Sequence, residues 1–154
     1  MTEANRFADQ LAVQATIQRY ALAVDSGRFE LFDQIFTADA ELDYRSAGGP
    51  NEGRDQLRQW LEKSRAGLVR WQHHLSPSII DLEDATALGR TDVYTANVFR
   101  EASGGVHVLH AGGRYHDQLI HTRDGWRIRR RRFENTWADG PGVDVLLPDP
   151  TRAA

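Results

Sequence analysis

The sequence predicts an α+β fold: a cone-shaped, curved, mostly antiparallel sheet with three N-terminal helices on one face, enclosing a pocket. Three observations carry this expectation. Apolar residues before position 65 recur mostly at helical spacing, the chain from residue 68 onward alternates at period two, and the strand-like stretches are joined by links so short that neighbours should run antiparallel. A length of 154 residues suits one substantial core, so residues 1–140 are expected to form a single domain and 141–154 an extended tail.

The first helix is expected over residues 8–25, where Val13, Ile17, Tyr20, Ala21 and Val24 form an apolar stripe and Ser26-Gly27 supplies the stop. Phe29, Phe32, Ile35 and Phe36 predict a shorter helix over 28–36. Ala40, Leu42 and Tyr44 then alternate as a short strand, Gly48-Gly49-Pro50 breaks it, and Leu57, Trp60 and Leu61 mark a third helix over 53–64. Strands are expected over 68–83, 86–101, 105–121 and 125–137, parted by Glu83-Asp84, Ser103-Gly104-Gly105 and Arg123-Asp124-Gly125. The tail carries prolines and the apolar segment Val143–Leu147, and is expected to be extended and to dock on a neighbouring subunit.

Composition narrows the function classes. A formal charge of -3 and a pI near 6.0 argue against a general nucleic-acid or membrane-surface binder. With no cysteine there is no disulfide, thiolate metal site or cysteine nucleophile. The start lacks the apolar core of a signal peptide and no apolar run reaches the ~18 residues that span a bilayer, so a cytoplasmic protein is expected. His107, His110, His116 and His121 show no metal-ligand spacing on one face, and no glycine pair sits in a strand-loop-helix phosphate context; neither metal nor other cofactor is expected.

The most informative residue is His73. In Val69-Arg70-Trp71-Gln72-His73-His74-Leu75 the odd positions are apolar except His73, which places its imidazole inward. Such a ring needs a partner, and one bonded to a carboxylate becomes a stronger base near neutral pH. Asp25, one turn after Ala21 at the end of the first helix, borders the core stripe and is the candidate. Two readings stay open from spacing alone: an Asp-His general-base dyad, or a solvated helix-end aspartate and a core histidine bonded to a backbone carbonyl. Tyr20 is either a pocket hydrogen-bond donor or plain core, and so are Tyr44, Trp60, Trp71 and Tyr94, which can line a cavity for a ring-shaped apolar substrate. The arginines at 129–132 cannot all be solvated on one side of a strand. Either one points inward and meets a carboxylate, a carbonyl cluster or an anionic substrate group, or the run is a basic outer face whose aliphatic stems cover the sheet. Trp126 and Ile128 suggest that even positions face inward, favouring Arg130 or Arg132 unless a bulge shifts the register before Arg131.

The opening helix with Ile17-Gln18-Arg19-Tyr20 and Asp25, the phrase Phe36-Thr37-Ala38-Asp39-Ala40, the His73 strand, and Gly113-Arg114-Tyr115-His116-Asp117 followed by Asp124-Gly125-Trp126-Arg127-Ile128 resemble the SnoaL-like branch of the nuclear-transport-factor-2-like superfamily over residues 8–138. Within it, Tyr20, Asp25, His73 and a late arginine are similar to a group that includes scytalone dehydratase, bile-acid 7α-dehydratase and hexachlorocyclohexane dehydrochlorinase. The resemblance implies cofactor-independent elimination, with His73 as base, Asp25 as its orienting partner, Tyr20 as a hydrogen-bonding residue and Arg131 as a substrate or leaving-group contact. It also implies a trimer or dimer. Pro77 departs from relatives that often have asparagine there, and His107 or His110 can match the second pocket histidine of scytalone dehydratase, which makes His110 a substrate-binding candidate. The expected function is therefore a lyase acting on a small hydrophobic, cyclic substrate. Isomerase or polyketide-cyclase chemistry and a noncatalytic small-molecule-binding module are the alternatives.

Overall fold

The structure, a computed structural model, describes residues 2–141 and Val143. Apart from Pro141 and Val143, the expected docking tail lies outside the described residues.

Helix α1 (Glu3–Ser26) starts where the Thr2 side chain accepts a hydrogen bond from the backbone N–H of Asn5. It ends at Gly27, whose φ of 71° permits a cap in which Gly27 N–H and Arg28 N–H return to the carbonyls of Val24 and Ala23. Its stripe of Val13, Ile17, Tyr20 and Val24 is buried on the sheet. The expected second helix is shorter than its apolar spacing suggested. A 3₁₀ turn at Phe29–Leu31 leads into α2 (Phe32–Ile35), and Phe36 already opens a strand, β1 (Phe36–Asp43). A two-residue strand β2 (Asn51–Glu52) and helix α3 (Arg54–Arg65) follow.

The expected strand over 68–83 is two strands, β3 (Leu68–Leu75) and β4 (Ile79–Glu83), both paired antiparallel with β5 (Thr86–Arg100). Pro77 has no N–H to give to the ladder, and pairing with β5 is interrupted there. The break is stitched to α1 instead: Ser78 N–H donates to Gln14 Oε1 at 2.8 Å and Gln18 Nε2 donates to the Ser76 carbonyl at 3.4 Å. Among the described residues, strands β6 (Val106–Thr122) and β7 (Gly125–Asp139) complete a seven-stranded sheet ordered β2-β1-β7-β6-β5-β3, with β4 beside β5, in which only the β1–β7 pair is parallel. The expected α+β cone is the architecture observed. Among the described residues, no helix is long and apolar enough to cross a membrane.

Two irregularities decide which residues face the helices. A register shift between Leu68 and Arg70 turns Val69 outward, 40% exposed, against the simple parity of the strand. In β7, Ile128 pairs with Leu119 while Arg130 pairs with Gln118, so Arg129 is an extra residue and the facing pattern slips by one. Ile128 and Arg131 are thus both buried, whereas Arg129, Arg130 and Arg132 are exposed.

Candidate active site

Asp25 stands in the last turn of α1, and His73 stands on the inner face of β3. Asp25 Oδ2 accepts from the backbone N–H of His73 at 2.9 Å, and Oδ1 lies 2.6 Å from Nδ1 of the ring. A carboxylate can only accept, so Nδ1 carries a proton, and in the neutral ring Nε2 is left as the acceptor. The His73 side chain is 5% exposed and lines a chamber of about 80 Å³ together with Tyr20, Tyr44, Trp60, Trp71 and Tyr115. A larger open groove of about 610 Å³ crosses the outer face of the sheet among Glu41, Asp81, Arg90 and Arg130. Neither member of the pair touches it, whereas the His73 side chain lines the chamber.

Arg131 lies behind the chamber wall. Its Nε and Nη2 donate to Asp117 Oδ1 and Oδ2, both at 2.7 Å, with both side chains fully buried. Such a planar fork matches a carboxylate with two parallel bonds. The guanidinium carbon also sits 4.5 Å from the centre of the Tyr20 ring and 4.0 Å from that of Tyr115. Burial works against the guanidinium's charge, but Asp117 raises its pKa well above the ordinary arginine value. Burial likewise pushes the Tyr20 and Tyr115 hydroxyls well up, and that of Tyr44 up, with Arg131 opposing in each case. All three are neutral phenols at physiological pH. Arg131 Nη1 and Tyr44 Oη make no hydrogen bond of good geometry among the described residues, yet the two groups are near enough to influence each other's ionisation.

The expected residues thus divide. Tyr20, His73, Tyr44, Trp60 and Trp71 line the chamber, with Asp25 behind the His73 ring. Arg131 is inward, as the bulge alternative required, but it is fully buried and does not line the chamber, so the expected direct contact with a substrate or leaving group is not available there. Tyr94 and His110 are corrections. Inner-facing Val93, Thr95 and Asn97 place Tyr94 on the opposite face, where its hydroxyl bonds His110 Nδ1 at 2.6 Å and its ring stacks on Trp137.

Three participants were not singled out from the sequence. Asp117 is the partner of Arg131. Asn97 lines the chamber with 8% exposure. Arg65, at the end of α3, donates from Nη1 to the backbone carbonyls of Val24 and Asp25 at 3.0 and 2.8 Å. Helix α1 has no basic residue in its last turn, so Arg65 supplies the cation that its C-terminal carbonyls lack. Its Nε would lie 3.1 Å from a Cβ at Gly27, so the bare glycine gives the guanidinium room over the helix end. The signals available were parity for Asn97 and Asp117; nothing local marked Arg65. Among the described residues, no group of three His, Asp or Glu side chains is placed to hold a metal.

The helices and the curved sheet thus form an α+β cone with an Asp-His pair at the wall of a small chamber. Residues 5–132 match the SnoaL-like domain family, and the chain belongs to it. It is 33% identical over 131 residues to an uncharacterised protein of Mycobacterium tuberculosis strain H37Rv, covering 85% of this chain and 88% of that one. Among solved structures, it is similar to a protein of Novosphingobium aromaticivorans provisionally assigned as a scytalone dehydratase, with a TM-score of 0.74, 22% identity and coverage of 90% of this chain and 91% of the other. It is also similar to hexachlorocyclohexane dehydrochlorinase type 3 from Novosphingobium barchaimii, with a TM-score of 0.75, 13% identity and coverage of 92% and 95%. At these identities the structural likeness establishes the fold.

Proposed function

We propose that the protein is a cofactor-independent lyase that eliminates water or another leaving group from a small hydrophobic, cyclic substrate. The observation that carries this reading is the 2.6 Å contact between Asp25 Oδ1 and His73 Nδ1, which leaves Nε2 as the acceptor of a ring on the chamber wall. Nε2 takes a proton from carbon, the C–H electron pair becomes the new double bond, and the leaving group departs with the electron pair of its own bond. Asp25 holds the ring and stabilises the imidazolium, while the phenols of Tyr20 and Tyr44 hydrogen-bond the departing atom or an adjacent carbonyl. Arg131 acts through those tyrosines as a positioning residue, since its charge makes their hydroxyls stronger donors. The similarity to a dehydrochlorinase and to a provisionally assigned dehydratase supports the same class. Association into a homo-oligomer belongs to this proposal. It is supported by exposed Ile79, Leu88, Tyr94 and Trp137 on the outer sheet face, and sedimentation velocity tests it.

The test is conversion of a panel of cyclic secondary alcohols, β-hydroxyketones and halocycloalkanes, followed by mass spectrometry. A product lighter by water or hydrogen halide is expected. A product of unchanged mass would assign an isomerase instead, and binding without product would assign a noncatalytic module.

A further inference from the structure

The chamber at His73, about 80 Å³, is small beside the ~300–1,000 Å³ usual for ligand sites, and it adjoins a second space of about 430 Å³. Ala47, Trp60, Trp71 and Asn97 line both, so the two spaces share this wall, which is the neck a ligand would have to bridge. The outer space is walled chiefly by apolar groups such as Leu68, Phe99 and Leu109. A ligand engaging His73 therefore places only one end in the chamber and leaves its body in the outer space.

Asn97 is the amide at that neck. Its Nδ2 donates to the Leu109 carbonyl at 3.0 Å and to Thr95 Oγ1 at 3.2 Å. A backbone carbonyl only accepts, so the nitrogen must face the sheet, and the orientation of the amide is fixed by chemistry. With both N–H groups engaged, what Asn97 offers to the neck is Oδ1, an acceptor. A ligand that covers this oxygen without donating to it leaves a buried acceptor unpaired, which is costly.

We propose that the neck reads a hydrogen-bond donor. The ligand is an elongated, hydroxyl-bearing ring compound whose reacting end enters the chamber, whose apolar body fills the outer space and whose O–H donates to Asn97 Oδ1. An ether, ester or carboxylate oxygen at that point is rejected. This rests on the chamber being the substrate site of the proposed lyase, and it specifies the substrate class.

The experiment compares 2-naphthol with its methyl ether, 2-methoxynaphthalene, which has the same ring body and no donor. Binding to the whole protein is followed by calorimetry and by the side-chain amide resonance of Asn97 in ¹⁵N-labelled protein. The naphthol is expected to bind several-fold to about tenfold more tightly, the scale of one neutral hydrogen bond, and to move the Asn97 resonance. In Asn97→Leu the difference should collapse, while in His73→Ala it should persist. Equal binding of the two probes to the wild-type protein overturns the proposal without any variant. Failure of both to bind at millimolar concentration, a difference that survives in a folded Asn97→Leu, or one that vanishes in His73→Ala also overturns it. If no substrate is ever eliminated but the donor preference and its loss in Asn97→Leu hold, the lyase reading fails and the ligand chemistry stands.

Discussion

Replacing Asp25 by asparagine removes one acceptor from a site that uses two. Both carboxylate oxygens accept from His73, one from the backbone N–H at 2.9 Å and the other from the ring at 2.6 Å. Asparagine keeps a single oxygen. The backbone N–H cannot change its role, so that oxygen should serve it, and the new NH₂ then faces Nδ1. The ring can accept that contact only by moving its proton to Nε2, which turns the proposed base into a donor. The lost electrostatic support points the same way. A carboxylate and an imidazolium ~4 Å apart attract by ~4 kcal/mol at an effective dielectric of ~20, equivalent to about 10³ in rate. The expected loss of kcat is therefore about 10²- to 10⁴-fold, with the fold kept and stability lowered by about 2 kcal/mol for the missing charge-assisted bond. Imidazole ¹⁵N resonances report the tautomer directly, and turnover of the eliminated substrate reports the rate. An Asp25→Asn protein that keeps its proton on Nδ1, or that turns over at the wild-type rate, would exclude this role for Asp25.

Other outcomes follow from the packing around the site. Arg65→Ala withdraws the guanidinium from the Val24 and Asp25 carbonyls and should lower stability by about 1–2 kcal/mol. It should also lower kcat with KM unchanged and alter the deshielded proton resonance of the Asp25–His73 bond, with Arg65→Lys restoring part of both; an unaltered resonance and kcat would limit Arg65 to packing. Asp117→Asn leaves the buried Arg131 charge uncompensated and should cost about 3–5 kcal/mol, lowering Tm by roughly 10 °C in thermal unfolding. Tyr20, Tyr44 and Tyr115 hold their protons in the folded state above the ordinary value of 10.0. Unfolded phenols release theirs near pH 10, so the native state binds more protons above that pH. Their contribution should be intact below pH 10 and fall by ~1.4 kcal/mol per tyrosine for each pH unit above it. Denaturant melts across alkaline pH measure the slope, and phenolate absorbance should show these three ionising only as the protein unfolds.

Much of the site was legible because strand parity and helical spacing are local. His73 could be placed inward by its neighbours, and Asp25 could be placed at the helix end that borders the core. The same parity, taken through Val93, Thr95 and Asn97, puts Tyr94 outside, and expecting it in the pocket gave aromatic character more weight than position. The four arginines could not be resolved without the bulge at Arg129, which depends on how β7 pairs with β6 and β1. Pro77 marked the division of β3 from β4, although alternation on both sides concealed it. Arg65 and Asp117 act across 40 and 14 residues of sequence, and no local pattern encodes such a meeting.

In the proposed elimination, His73 Nε2 takes the substrate proton. The most direct measurement is the turnover of His73→Ala against the wild type, on protein shown by circular dichroism and thermal melting to be folded. A loss of at least about 10²-fold, with the fold intact, is the expected result. A folded His73→Ala protein with undiminished turnover would contradict it and move the chemistry to another group in the chamber.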